Sequence, residues 1–158
     1  MEKTEIGIAA VNRESVAYLL NILLADEHVL YIKTRNYHWN VRGMHFQSLH
    51  KFFEGQYEEL ADLIDDIAER IRSLGHYAVA AMKDYVNITR LLETNHTDGD
   101  AQKMLQNLLV DHETIIRILR DDMIQETGKY KDAGTGDFIT GVMEKHEKMA
   151  WMIRAYME

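Results

Sequence analysis

The chain runs for 158 residues without a single proline, the residue that breaks helices most effectively, so punctuation falls to its nine glycines. Long helices are the natural outcome. Residues 1 to 11 read as a short arm, after which Asn12 or Ser15 is placed to cap a first helix. Val16, Leu19, Leu20, Leu23, Leu24, Leu30 and Ile32 recur at helical spacing toward Trp39 or Asn40, and Gly43 closes the segment. A second helix from Phe46 carries Leu49, Phe53, Tyr57, Leu60, Leu63, Ile64, Ile67 and Ile71 along one broad stripe until Gly75. Beyond it the pattern weakens. Ala78 to Tyr85 suits a short helix within a connection, and His96, Thr97, Asp98, Gly99 and Asp100 read as loop and N-cap. A third helix, about Ala101 to Thr127, ends at Gly128, and a fourth runs from Gly136 or Asp137 to Met157 with Thr135 as its expected cap. The predicted fold class is all-α: a four-helix bundle, one domain over residues 1–158, with a short helix between helices two and three.

Composition narrows the chemistry. Eighteen Lys plus Arg against 26 Asp plus Glu leave a formal net charge of −8, a field that repels nucleic acid and attracts cations. Cysteine is absent, which excludes disulfides, thiolate chemistry and cysteine-rich metal sites. Any transition metal must therefore be held by His and carboxylate, a ligand set suited to iron, manganese or zinc. The opening residues MEKTEIGIAA carry no secretory pattern, and no stretch is expected to span a bilayer, so a cytoplasmic location is expected.

Four potential ligands between Tyr37 and Gly75 are spaced so that they cannot meet inside one folded copy. His38 and His50 come first; Asp65 and Glu69, four apart, share one helix face. On a single helix from Phe46 to Leu74, His50 and Asp65 are fifteen positions and about 22 Å apart, a gap no metal bridges. Either the two pairs do unrelated things, or one chain's histidines face the acids of the next. Taken alone, each pair has a bland explanation: eight histidines produce chance spacings, and acids at i, i+4 usually form a solvated face. Position adds weight, because Asp65 and Glu69 lie beside the apolar stripe, where a neighbouring subunit would cover them. Two carboxylates in such a place repel unless a cation neutralises them. His50 and Glu54 form a second i, i+4 pair on the same helix. The Glu-x-x-His spacing of intrachain di-iron bundles occurs only at Glu93 to His96, inside the connection, and reads as coincidence. Asp111, His112, Glu113 and His146 read as surface or packing residues rather than ligands.

The segment YHWNVRGMHFQSLHKFFEGQYEELADLIDDIAERIRSLG, Tyr37 to Gly75, resembles the signature of the Dps family, the mini-ferritins of the ferritin-like superfamily. The likeness in helical layout extends over nearly the whole chain. It implies a ferritin-like bundle in which His38, His50 and Glu54 of one subunit and Asp65 and Glu69 of a two-fold partner bind one or two iron ions as a ferroxidase centre. It further implies Fe(II) as substrate, hydrogen peroxide as the preferred oxidant ahead of dioxygen, and a ferric mineral stored inside a hollow homo-oligomer, a dodecamer in the family precedent. Trp39 would supply or absorb an electron, Glu58, Glu59 and Asp62 would serve mineral nucleation or entry, and Asp132 and Asp137 resemble acids that line iron-entry pores. Two departures stand out: Glu54 where the family commonly has aspartate, and no proline after Gly75. The chain also lacks the basic tail with which family members bind DNA, which argues against DNA as a partner. The competing readings are a nucleoid-compacting DNA binder with incidental metal affinity, and a bundle that uses metal only to fix its oligomer.

Overall fold

The computed structural model describes residues 4–93 and 99–158, and among these every regular element is helical. Helix α1 spans Ala10–Asn40, α2 Phe46–Ser73, α3 Met82–Ile88, α4 Ala101–Ile118, α5 Ile124–Lys129 and α6 Ala133–Met157. A π-helical turn, Leu119–Met123, joins α4 to α5, so the three together form the long third helix that the periodicity predicts. α1 packs along α2 and α4 along α6, while α3, in the crossover between the two pairs, lies on α1. The bundle interior is closed by Leu20, Leu23, Leu24 and Leu30 of α1, Phe53, Leu60 and Ile67 of α2, Met104, Leu108 and Ile115 of α4, and Ile139 and Ile153 of α6. Each is fully buried, worth about 2 kcal/mol apiece in area removed from water.

Glycine marks the helix ends where a left-handed residue is needed. Gly43 (φ +111°) turns the chain between α1 and α2, and Gly75 (φ +87°) ends α2, with Gly75 N donating to Arg72 O and His76 N to Ile71 O. A Cβ on Gly75 would also run into the Thr4 side chain.

Several boundaries move from where periodicity alone puts them. α1 begins at Ala10, so neither Asn12 nor Ser15 is its cap. The Asn12 amide instead donates to Tyr130 O at 3.0 Å across the fold, and Ser15 Oγ donates back to Val11 O. Gly128 stays helical; the reversal comes at Lys131 (φ +58°), where Asp132 N donates to Thr127 O. α6 begins at Ala133 because Asp132, not Thr135, is the cap, its Oδ1 accepting from Thr135 N at 2.9 Å. The short helix starts at Met82 rather than Ala78, because Val79 is held in the preceding non-helical run by Asn21 Oδ1 and by the Tyr85 hydroxyl. Ile32 is 42% exposed while its neighbour Lys33 is buried, its ammonium donating to Asp111 and to Leu92 O. Asp100 caps α4 as expected, accepting from Gln102 N and Lys103 N; His96, Thr97 and Asp98 lie outside the described residues. Contrary to the sequence expectation, α1 does reach the length and apolarity of a bilayer span, yet 56% of that stretch is packed inside the bundle.

The crossover is anchored by one carboxylate. Asp26, with no exposure, accepts from Thr89 Oγ1 (2.9 Å), Arg90 N (2.6 Å), Arg90 Nε (2.8 Å) and Arg90 Nη2 (2.6 Å). Asp26→Ala leaves these donors without their acceptor and is expected to destabilise the fold by about 3 kcal/mol. Denaturant unfolding at fixed protomer concentration checks this, and a midpoint equal to wild type would show that the crossover is held by other contacts.

Candidate metal centre at the turn between α1 and α2

The five residues between α1 and α2 fold the last turn of one helix onto the first turn of the next and bring His38 and His50 face to face. Their rings stack with centroids 3.8 Å apart and planes 22° from parallel. His38 Nδ1 lies 2.7 Å from His50 O, and His50 Nδ1 lies 2.8 Å from His38 O. A carbonyl oxygen only accepts, so both Nδ1 atoms carry the hydrogen, and in each neutral ring the lone pair resides on Nε2. The pair thus arrives with its tautomers set for metal binding through Nε2, the orienting device usual for ligating histidines. Phe46 flanks the His50 ring at 5.2 Å and Tyr57 meets the His38 ring edge-on at 5.3 Å. His38 is 7% exposed; His50 and Glu54, one turn apart on α2, are half-buried.

α2 is unbroken, so Asp65 and Glu69 sit about 22 Å or more along the helix from His50. Both acids are exposed in the single chain, and, two positions or about 200° round α2 from Ile67, they lie across the helix from the buried stripe rather than beside it. Among the described residues no three histidine or acidic side chains converge as a metal-binding group within one chain. The structure therefore brings His38, His50 and Glu54 to one end of α2 and leaves Asp65 and Glu69 at a distance. Trp39 is 62% exposed, its ring under the Arg35 guanidinium at 5.0 Å.

Of the two expected pore acids, Asp137 is exposed, whereas Asp132 is 2% exposed and occupied within its own chain. Its oxygens accept from Thr135 N, from Thr135 Oγ1 at 2.6 Å and from Arg70 Nη2 at 2.9 Å. Asp132 acts as a helix cap and an anchor of α6 to α2, for which sequence spacing offered no signal.

Of the alternatives that the sequence left for His112 and His146, surface or packing, the structure shows packing. Neither reaches the surface, and they are strung together with Glu27 of α1, which periodicity had passed over. With neutral rings, His112 Nδ1–H donates to His146 Nδ1 at 2.9 Å, and His146 Nε2–H donates to Glu27 Oε1 at 2.8 Å. Among the described residues, Glu27 Oε2 and His112 Nε2 are buried without a partner. A signal existed: Glu27 falls in the rhythm Leu20, Leu23, Leu24, Leu30, Thr34, all of them buried. Asp111 next door is buried against Lys33 at 2.5 Å; burial pushes its carboxyl above the ordinary value and the ammonium pulls the other way.

Burial, and then the neighbouring His146, hold the His112 ring well below its ordinary value of 6.5. The unfolded chain binds a proton at that histidine near 6.5 and the folded chain does not, so stability is full above that pH and declines as pH falls below it. His112→Asn, which keeps a donor for His146, is expected to remove up to about 1.4 kcal/mol per pH unit from that slope. Unfolding midpoints from pH 7.5 down to about 4.5 test this, and an unaltered slope would assign the acid sensitivity elsewhere.

Comparison with known proteins gives a consistent picture. The family model for the ferritin-like domain matches residues 17–158. A low temperature-induced protein of Nostoc is 43% identical over 158 residues, covering 100% of this chain and 88% of its own length. The DNA protection during starvation protein 2 of Bacillus anthracis is 37% identical over 144 residues, covering 91% of this chain and 97% of its own length. Among solved structures, the Dps protein of Vibrio cholerae O1, described as a member of a superfamily of ferritin-like diiron-carboxylate proteins, superimposes with a TM-score of 0.91 at 32% identity, covering 100% of this chain and 98% of that one. DpsC of Streptomyces coelicolor superimposes with a TM-score of 0.95 at 29% identity, covering 99% and 91%.

Proposed function

Because this chain belongs to the Dps family of ferritin-like proteins, we propose that it oxidises Fe(II) at centres shared between two subunits and stores the ferric product inside a hollow homo-oligomer, a dodecamer. The observation that carries this reading is the reciprocal hydrogen bonding of His38 and His50, which leaves the lone pair of each neutral ring on Nε2, while among the described residues no three histidine or acidic side chains converge within one chain. A two-fold partner supplies Asp65 and Glu69, which are exposed on the outer face of α2 and so accessible to it. The donor set, imidazole with carboxylate, accepts Fe(II) and stabilises Fe(III) once it forms.

Hydrogen peroxide is the preferred acceptor: 2 Fe(II) + H2O2 + 2 H⁺ gives 2 Fe(III) + 2 H2O. Both electrons leave the site together and no hydroxyl radical escapes, which protects the cell against oxidative damage. The working unit is one domain over residues 1–158, located in the cytoplasm. Trp39 stands beside the centre as an electron reserve, and Asp137 supplies negative potential along the iron entry route, with buried Asp132 holding the helix end behind it. A net charge of −8 concentrates Fe(II) around the shell and disfavours DNA as a partner.

Anaerobic loading with Fe(II) followed by peroxide, read by stopped-flow absorbance, is expected to show fast ferric formation in wild type and a loss of tenfold or more in His50→Ala and in Asp65→Ala. Each variant damages the contribution of a different subunit. Equal mixing with subunit exchange is therefore expected to restore about one quarter of the sites, since half of randomly formed pairs are mixed and each mixed pair has one intact centre. No recovery in exchanged mixtures would refute the shared centre.

A further inference from the structure

A cleft of about 460 Å³ opens between α2 and α6, and neither His38 nor His50 lines it. The two helices run antiparallel along it. Glu59 and Lys145 join them by an ion pair at 2.9 Å, Gln56 Nε2 donates to Met149 O at 3.3 Å midway, and the Phe52 and Tyr156 rings meet with centroids 4.5 Å apart beyond. Phe52, Met149 and Met152 make the lining largely apolar.

Gln56 is buried, and its amide can sit only one way round: turned over, its oxygen would face the Met149 carbonyl, so Nε2 is the atom that donates there. Oε1 is left buried without a donor. Buried acceptors are normally answered, and Gln56 borders the cleft, the open space from which a donor can approach. Gly55 is a second, independent sign. It stands in the middle of α2, where glycine is disfavoured against alanine, yet no close approach calls for it, because a Cβ built there meets nothing within 4 Å. Gly55 also lines the cleft, so its missing side chain keeps that space open. Charge is the third. Lys145 is answered by Glu59, whereas Lys51 and Lys148, both exposed at the cleft, have no acid paired with them among the described residues. In a chain of net charge −8, two unpaired ammonium groups beside an apolar wall single out this place for an anion.

We propose that the cleft binds an aromatic carboxylic acid of one ring that carries a hydroxyl at the end opposite its acid group. The carboxylate meets Lys51 and Lys148, the ring packs on Phe52 and on the thioethers of Met149 and Met152, and the hydroxyl donates to Gln56 Oε1. A fatty acid satisfies only part of this, since its ionised carboxylate accepts and has no hydrogen for Gln56. A neutral phenol leaves the two lysines unanswered. The site stands apart from the iron-oxidation reading and does not depend on it.

The test is isothermal titration of the metal-free native protein with 4-hydroxycinnamate, and with cinnamate, which lacks only the hydroxyl. One saturable site per chain is expected for 4-hydroxycinnamate, with cinnamate about fivefold weaker, the factor that one neutral hydrogen bond is worth. Gln56→Met, close in length and volume, is expected to bind the two acids equally. Lys51→Ala combined with Lys148→Ala is expected to weaken both acids alike, by about tenfold. Gly55→Leu, whose Cβ meets no neighbour, fills the cleft and is expected to abolish binding while circular dichroism keeps the wild-type helix content. No saturable binding by the wild type, as a second copy seated over the cleft would produce, overturns the proposal. So does binding that survives Gly55→Leu, or a preference for the hydroxyl that survives Gln56→Met.

Discussion

Two hydrogen bonds between His38 and His50 do structural and chemical work at once. The last carbonyls of α1 have no partner within their own helix, and His50 Nδ1 supplies one to His38 O at 2.8 Å. The return bond, His38 Nδ1 to His50 O at 2.7 Å, ties the first turns of α2 back to the end of α1. The same pair of bonds sets which nitrogen of each ring carries its lone pair. Closing the corner of the hairpin and fixing the two tautomers are therefore one event, and Gly43 at φ +111° makes the turn tight enough for it. The packing of Tyr57 on the His38 ring and of Phe46 on the His50 ring depends on that corner.

The bundle tolerates charge in its interior only where the charge is answered. Asp26 has four donors from the crossover, Asp132 has Thr135 and Arg70, and Asp111 has Lys33. Each of these pairs pins one element to another, so desolvation is offset by hydrogen bonds and by the definition of the fold. The chain from Glu27 through His146 to His112 is less complete, with an unanswered atom at each end. It joins α1, α4 and α6 at one level of the core, and this is where acid finds a group that titrates on unfolding but not in the folded state. On the outside of α2 the logic is reversed: Asp65 and Glu69 are exposed to water, and their charge needs no answering group within the chain.

Much of this was legible along the chain because helices report their periodicity. The stripe from Leu49 to Ile71 and the stops at Gly43 and Gly75 match the fold, as does the long third helix. Errors fell where long-range partners override local propensity. Asn12 looks like a cap and is drawn instead to Tyr130; Gly128 looks like a stop, yet the left-handed residue is Lys131; Thr135 looks like a cap and is the donor to one. Of the site, the pairing of histidines near one end of α2 and acids further along could be read from spacing, since rise per residue is fixed. That the histidines stack and hydrogen-bond reciprocally could not, because it depends on how Val41 to His45 turn the chain.

What the sequence determined by itself is the family signature between Tyr37 and Gly75, the helical rhythm and the separation of His50 from Asp65 and Glu69 along one helix, the last two being consequences of one-dimensional spacing on a regular helix. Only the tertiary structure decided which polar groups are buried and what answers them: Glu27 with His146, Asp132 with Arg70, Tyr57 with His38. The reason is that burial and hydrogen-bond geometry belong to pairs of elements far apart in the chain, and no local pattern encodes the angle at which two helices meet.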